Sequence, residues 1–111
     1  MTTEERLHII TEALDDLKGQ DIQAISVEHL TDMMDKIVIC TASSTTHAKS
    51  LSKNLEQELK SKGITILGVE GGNKSDWVLV DTGDIVTHIM LEETRNLYAL
   101  EKLWDIKRQD S

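Results

Sequence analysis

Apolar residues recur along parts of the chain at the three- and four-residue spacings of amphipathic helices. The first set is Leu7, Ile10, Leu14 and Leu17, and the second is Ala48, Leu51, Leu55 and Leu59. Thr2 and Glu5 can form a capping box before the first set, and Ser43 or Ser44 can cap the second. A glycine follows each set and should end each helix. We therefore predict two helices, the second of which runs to Lys62.

Shorter apolar runs rich in β-branched residues predict strands. The predicted strands are residues 21–27, 36–41 and 64–69, followed by a hairpin whose two strands flank Thr82 and Gly83. Residues 36–41 are too apolar to be half exposed, so we expect a central strand that is covered on both faces. A last helix is expected at residues 92–106, and a turn or a single helical turn is expected at residues 29–34.

The order of these elements indicates the fold class. A helix joins the second and third predicted strands, and a hairpin joins the last two. Connections of both kinds imply a mixed five-stranded sheet with packed helices. The chain of 111 residues is long enough for one hydrophobic core. We therefore predict a single α/β (α+β) domain that spans the whole chain.

The predicted hairpin determines which side chains share a face, because side chains alternate along a strand. Thr82 and Gly83 are taken as a two-residue turn, since glycine tolerates the positive φ that tight hairpins require. This turn places Trp77 opposite His88. One face then carries aliphatic residues that should pack on helices: Val78, Val80, Ile85, Thr87 and Ile89.

The opposite face of the hairpin has a different composition. It carries Trp77, Leu79, Val86, His88 and Met90. An indole beside an imidazole and a thioether is typical of adaptable protein interfaces. This face therefore indicates recognition of a partner. The alternative is a second core surface, in which His88 is buried and hydrogen-bonded.

The chain is strongly acidic, with twelve basic and twenty acidic residues and a net charge of −8. Nucleic acid requires a dense Lys/Arg surface, so the charge argues against it as a direct ligand. An acidic surface suits a basic protein partner, because opposite charge speeds their encounter. The alternative is that the charge serves solubility alone.

The single cysteine and the short apolar runs bear on the compartment. Cys40 lies in an apolar run, which predicts a buried thiol in a reducing compartment. Uninterrupted apolar runs reach only four residues, too few to span a membrane. The amino-terminal sequence lacks the basic start and apolar core of a signal peptide. We therefore expect a cytoplasmic protein without membrane contact.

Three motifs suggest chemistry, but simpler interpretations are favoured. Asp81-Thr82-Gly83 matches the signature triplet of aspartic proteases, yet those enzymes need an all-β body, and a helix is predicted downstream. Residues 41–47 could bind an anion at a helix start, but they lack the glycines and lysine of a phosphate loop. Asp81, Asp84 and His88 have no second histidine close in sequence. We therefore predict no metal and no cofactor.

Six segments of the sequence, taken together, carry a family resemblance. They are residues 35–47, 68–71, 76–77, 81–84, 88–90 and 95–104. In order and in spacing, from about Leu17 to Trp104, they resemble the ribosomal silencing factor RsfS (iojap) family. Each segment alone would be a weak signal, but the set is highly specific.

The resemblance implies a nucleotidyltransferase-like α/β fold that has lost the catalytic carboxylates, and therefore a protein that is not an enzyme. It implies binding to the large ribosomal subunit through the fourteenth large-subunit protein. The implied effect is steric, because the small subunit cannot join and translation falls when nutrients are scarce. The acidic charge fits a basic ribosomal protein better than rRNA, so little direct rRNA contact is expected.

For this partner, Trp77 and His88 are the predicted anchor, because aromatic side chains commonly dominate binding energy. The residues predicted around it are Leu79, Met90 and Tyr98, with Glu70, Asp76 and Glu101 as rim charges. Two alternatives stay open. One is a residual nucleotidyltransferase-like enzyme, with residues 43–44 holding phosphate and Asp81 and Asp84 holding Mg²⁺. The other is a homodimeric scaffold that is joined through the same sheet face.

Overall fold

The computed structural model describes residues 2–71 and 76–98, without the side chain of Tyr98. The elements are α1 (Thr3–Asp16), β1 (Gln20–Ser26), β2 (Lys36–Ala42), α2 (Thr45–Ser61), β3 (Gly68–Glu70), β4 (Trp77–Asp81), β5 (Ile85–Leu91) and α3 (Glu92–Tyr98). The predicted rim residue Glu101 and the predicted helical residues 99–106 lie outside the described residues.

The five strands form one mixed sheet in the order β1-β2-β5-β4-β3. β2 and β5 are parallel, while the other neighbouring strands are antiparallel. Parallel strands need a crossover, and α2 lies in the connection between β2 and β5. The predicted mixed five-stranded α+β fold is confirmed.

The main core lies between one face of the sheet and the helices α1 and α2. It includes Val38, Cys40, Val78, Val80, Ile85 and Ile89 from the sheet, with Ile10, Leu14, Leu51, Leu55 and Leu59 from the helices. Each buried aliphatic side chain contributes roughly 1.5–3 kcal/mol relative to its exposed state. The predicted packing of the hairpin's aliphatic face on helices is therefore confirmed.

The starts of the first two helices follow the predicted caps. The Oγ1 of Thr2 accepts a hydrogen bond from Glu5 N at 3.1 Å, and Glu5 Oε1 accepts one from Thr2 N at 3.2 Å. For α2, the Oγ of Ser44 accepts a hydrogen bond from His47 N at 3.0 Å. These contacts pair main-chain N–H groups that have no partner inside the helix.

The end of α1 differs in detail from the prediction. Lys18 rather than Gly19 adopts a positive φ, of 62°, and Gly19 N–H donates to Leu14 O at 2.8 Å. Gly19 is needed for space, because a Cβ there would lie 2.6 Å from Sγ of Cys40. The glycine thus allows the end of α1 to approach β2 closely.

The third strand is shorter than predicted. Only Gly68–Glu70 pairs with β4, and residues 64–67 are irregular. Leu67 N–H still donates to Asp81 O at 2.8 Å, although the Leu67 side chain is 66% exposed. β3 is at the edge of the sheet and has one neighbouring strand. Fewer main-chain hydrogen bonds therefore keep it extended than keep a central strand extended.

The predicted register of the β4–β5 hairpin is wrong. Leu79, not Trp77, lies opposite His88, and Met90 lies opposite Trp77. The register differs from the prediction by two residues. Because side chains alternate with a period of two, every residue stays on its predicted face.

Contacts of the turn explain the shifted register. The turn centres on Gly83 and Asp84, and Gly83 has a φ of +97°. The Oδ1 of Asp81 accepts a hydrogen bond from Gly83 N at 2.8 Å. The Oδ2 of Asp84 accepts hydrogen bonds from Arg6 Nη1 at 2.8 Å and from Thr3 Oγ1 at 3.0 Å. Partners distant in sequence therefore hold Asp84 in the turn.

His47 joins the start of α2 to the end of α1. Ser43 N–H donates to its Nδ1 at 2.8 Å, and its Nε2–H donates to Leu17 O at 2.7 Å. Replacing His47 with alanine is expected to lower the free energy of unfolding by about 1–2 kcal/mol, because both bonds are lost. Urea unfolding measures the loss, with the exposed residue His8 changed to alanine as a control. Equal effects of the two substitutions would contradict this role.

Candidate partner-binding face

The sheet face opposite α1 and α2 carries the predicted anchor. Its residues from β4 and β5 are Trp77, Leu79, Val86, His88 and Met90, and we call this set the docking face. The parallel register places Ile37 of β2 beside Val86 and Ile39 beside His88. The docking face therefore borders two β2 side chains that are themselves buried.

Part of the docking face belongs to a second core cluster. The buried members of this cluster are Ile25, Val27, Ile37, Ile39 and Met90. Trp77 packs against the cluster but remains half-buried, as does Leu79, and His88 is 8% exposed. Met90 has no exposed surface, which restricts its predicted part in partner binding to the packing of its cluster against Trp77.

Trp77 and His88 are in direct contact. The indole Nε1–H donates to Nδ1 of His88 at 3.0 Å, and the ring centroids lie 5.9 Å apart with the planes tilted by 48°. Burial lowers the pKa of His88 from 6.5 to about 4, so the imidazole is neutral at physiological pH. The two rings are adjacent, as expected, but on diagonal rather than opposite positions.

Acidic side chains border the docking face. Glu70 of β3 is exposed and lies opposite Leu79. Asp76 is exposed immediately before β4, and Asp81 is partly exposed at the end of that strand. Two of the predicted rim charges therefore lie beside the strand that carries Trp77, and Asp81 adds a third.

Gly71 lies directly against the start of β4. It has a φ of +82°, and a Cβ at this position would overlap the main-chain oxygen of Trp77. Glycine is thus required both by the left-handed backbone and by the close approach. The main chain at Gly71 therefore packs closely against the main chain of Trp77.

Arg95 connects α3 to the sheet, and the sequence pattern gives no signal for this role. Its side chain is 5% exposed, and its Nη1 donates to Asp21 O at 2.7 Å and to Thr41 Oγ1 at 2.8 Å. These partners lie on β1 and β2. The guanidinium therefore fixes the helix whose last described residue is Tyr98.

A groove extends the docking face toward the β4–β5 turn. Its volume is about 340 Å³, and its lining consists of Thr31, Met33, Met34, Asp81, Gly83 and Val86. Met33 is 86% exposed, whereas Met34 packs against the second cluster. The groove adds an adaptable thioether to the candidate surface.

The residues that suggested chemistry have other partners. Across residues 2–71 and 76–98, no group of three or more His, Cys, Asp and Glu side chains could hold a metal ion. Asp84 is paired with Arg6 at 2.8 Å. Ser43 Oγ lies 3.1 Å from His47 Nδ1, but that nitrogen already accepts a main-chain hydrogen bond. Burial raises the pKa of the Cys40 thiol to about 11, which disfavours the thiolate.

In the ranges that the structure describes, no helix is both long enough and apolar enough to cross a bilayer.

Comparisons with known proteins extend these observations. A family model described as ribosomal silencing factor during starvation (RsfS) matches residues 1–111. A ribosomal silencing factor RsfS from Haemophilus influenzae is 39% identical over 98 residues, which cover 88% of this chain and 96% of that protein. The protein of Mus musculus named mitochondrial assembly of ribosomal large subunit protein 1 is 36% identical over 95 residues, which cover 83% of this chain and 42% of the mouse protein.

A solved structure supports the same relationship. The crystal structure of a protein from Chromobacterium violaceum matches with a TM-score of 0.93 and 37% identity, and the match covers 95% of this chain and 88% of that one. Sequence and structure thus agree along nearly the whole chain, and the chain belongs to the RsfS family of ribosomal silencing factors.

Proposed function

We propose that this protein represses translation by occupying a surface of the large ribosomal subunit. Its family membership supports a ribosome-associated regulator of translation. The observation that carries the proposal is the hydrogen-bonded pair of Trp77 and His88, on a sheet face that lies opposite α1 and α2. Aromatic side chains surrounded by a polar rim are typical of binding hot spots.

The proposed contact on the subunit is its fourteenth protein. Glu70, Asp76 and Asp81 border the docking face, and the chain carries a net charge of −8. These charges favour a basic protein surface over rRNA phosphates, so little direct rRNA contact is proposed. The name of the mouse relative refers to the large ribosomal subunit, which agrees with this choice of subunit.

The proposed effect is steric exclusion of the small subunit. A stable protein interface buries at least about 1,000 Å² in total, which is enough to cover part of the surface where the subunits meet. Repression would require no chemistry on the ribosome, only residence on it. We place its use under nutrient limitation, in keeping with the description of the family.

Replacing Trp77 with alanine is expected to weaken binding to purified large subunits about 30-fold, equivalent to about 2 kcal/mol for an aromatic anchor. Co-sedimentation measures the bound fraction over a range of protein concentrations. The control is Lys49→Ala, an exposed position of α2 on the opposite side of the sheet, which should bind like the wild type. Undiminished binding by a folded Trp77→Ala protein would show that Trp77 is not part of the interface.

Two further measurements complete this test. Trp77 also packs against the second core cluster, so circular dichroism must show that the variant is folded at the temperature of the binding assay. Wild-type protein added to separated subunits should reduce the yield of joined ribosomes, and Trp77→Ala should reduce it less at the same concentration. Failure of the wild type to bind large subunits would overturn the proposed function.

The two alternatives can be separated by experiment. A homodimer joined through the docking face would double the mass measured by light scattering, and large subunits should dissociate it if both use the same face. Residual nucleotidyl transfer would require Asp84 to leave its pairing with Arg6 in order to hold Mg²⁺. Assays with nucleotides and Mg²⁺ are expected to give no turnover.

A further inference from the structure

The contact between Trp77 and His88 determines which imidazole nitrogen carries the proton. An indole nitrogen can donate a hydrogen bond but cannot accept one, so Trp77 Nε1–H donates across the 3.0 Å to His88 Nδ1. Nδ1 is therefore the unprotonated nitrogen, and neutral His88 carries its hydrogen on Nε2. Burial, which lowers the pKa of His88 to about 4, maintains this neutral form at physiological pH.

The Nε2–H group of His88 remains available to a ligand. No acceptor for it is found among residues 2–71 and 76–98. Within the same ranges, Asp84 Oδ1 is the one side-chain nitrogen or oxygen that is fully buried and lacks a hydrogen-bond partner. His88 Nε2 also lacks a partner among these residues, so it is not fully buried and has some access to solvent. His88 as a whole is 8% exposed. The donor therefore reaches the surface through a narrow opening in the docking face.

We propose that His88 Nε2–H donates a hydrogen bond to a neutral carbonyl oxygen of the partner, from its main chain or from a side-chain amide. This inference rests on the proposed function, because it assigns the chemistry of the same face. A partner that covered the opening without an acceptor would bury an unpaired N–H group, which opposes binding. Lysine and arginine side chains cannot fill this position, since neither can accept a hydrogen bond.

The charges around the docking face favour a neutral acceptor over a carboxylate. Glu70 and Asp76 are exposed at the border, and Asp81 is partly exposed. These groups repel a carboxylate of the partner and attract its lysines and arginines to the rim. In this proposal the acidic residues at the rim bind positive charge of the partner, and His88 at the centre binds one carbonyl oxygen.

Nitrogen NMR of the free protein tests the first step. Long-range proton–nitrogen correlations of ¹⁵N-labelled protein should show His88 as the Nε2–H tautomer. Trp77→Phe keeps an aromatic ring but removes the indole donor, so the tautomer preference should weaken in this variant. A proton on Nδ1 of His88 in the wild-type protein would overturn the proposal before any binding is measured.

Two substitutions of His88 test the donor in binding, with purified large subunits as the probe. His88→Gln offers an oxygen that can accept from Trp77 and an amide N–H that can donate outward, whereas His88→Met has a similar size and no N–H. The glutamine variant is expected to bind within about threefold of the wild type, and the methionine variant about tenfold more weakly. Lys49→Ala again serves as the control. Melting temperatures show whether each variant is folded.

The outcomes distinguish this inference from the proposed function. Wild-type binding by both His88 variants would overturn the donor role, and the proposed function would stand if Trp77→Ala still binds weakly. Equal weakening by both variants, at unchanged melting temperature, would assign the effect to ring shape and would also overturn the donor role. Absence of binding by the wild-type protein would overturn the proposed function itself.

Discussion

Replacing Arg95 with methionine is expected to lower the free energy of unfolding by about 3 kcal/mol and to loosen α3 from the sheet. The guanidinium donates to Asp21 O at 2.7 Å and to Thr41 Oγ1 at 2.8 Å from a side chain that is 5% exposed. Hydrogen bonds from charged donors contribute roughly 1.5–3 kcal/mol each. Methionine fills much of the same volume but cannot donate, and the removal of a buried charge offsets part of the loss.

Urea unfolding of matched variants checks the role of Arg95. Asn96→Ala changes the next position of α3, which is exposed, and should have little effect. Thr41→Val removes the hydroxyl that accepts from Arg95, so the double variant should lose less stability than the sum of the losses of the two single variants. Strict additivity, or a loss no larger than that of Asn96→Ala, would contradict the assigned contacts.

The role of Arg95 also bears on partner binding. α3 directly follows β5, and its last described residue is Tyr98, which is a predicted neighbour of the anchor. A helix that is loosely attached presents Tyr98 less often in the binding position, so Arg95→Met should also weaken binding to large subunits. Binding that is unchanged in a folded variant would show that α3 contributes little to the interface.

The hairpin shows what alternation along a sequence can and cannot predict. The period of two placed Trp77 and His88 on one face, because each strand has one helix-covered side. The same period does not distinguish a turn at Thr82 and Gly83 from a turn at Gly83 and Asp84, because the faces are the same in both. Asp84 of the observed turn is held by contacts that are distant in sequence. Arg6, 78 positions away, donates to its carboxylate, and the N–H groups of Asp35 and Lys36 donate to its main-chain oxygen. Local chemistry therefore predicted the faces, whereas the observed register agrees with contacts that a local pattern does not contain.

The candidate site was predictable to a similar extent. An interface and a second core surface were alternatives for the docking face, and the structure contains features of both. Met90 is enclosed in the second cluster, while Trp77 remains half-buried above it. Met33 and Met34 are identical neighbours, yet one is 86% exposed and the other packs inward. An irregular loop has no period from which such a difference could be predicted.

Lowering the pH from about 6.5 to about 4 is expected to destabilise the fold by about 3 kcal/mol through His88. Burial lowers the pKa of this group from 6.5 to about 4. Within that window the unfolded chain binds a proton that the folded chain does not bind. The contribution of His88 to the free energy of unfolding therefore rises with pH across the window and is constant above it.

The variant His88→Gln isolates this contribution, because glutamine does not titrate and the other ionisable groups are common to both proteins. Urea unfolding midpoints of the two proteins, measured from about pH 7 to about pH 4, should diverge as the wild type loses stability faster. Protonation would also place a hydrogen on Nδ1, where Trp77 now donates, so the indole would lose its acceptor. Parallel curves for the two proteins would mean that His88 is readily protonated in the folded state. A readily protonated His88 would contradict both its burial and the hydrogen bond that fixes its tautomer.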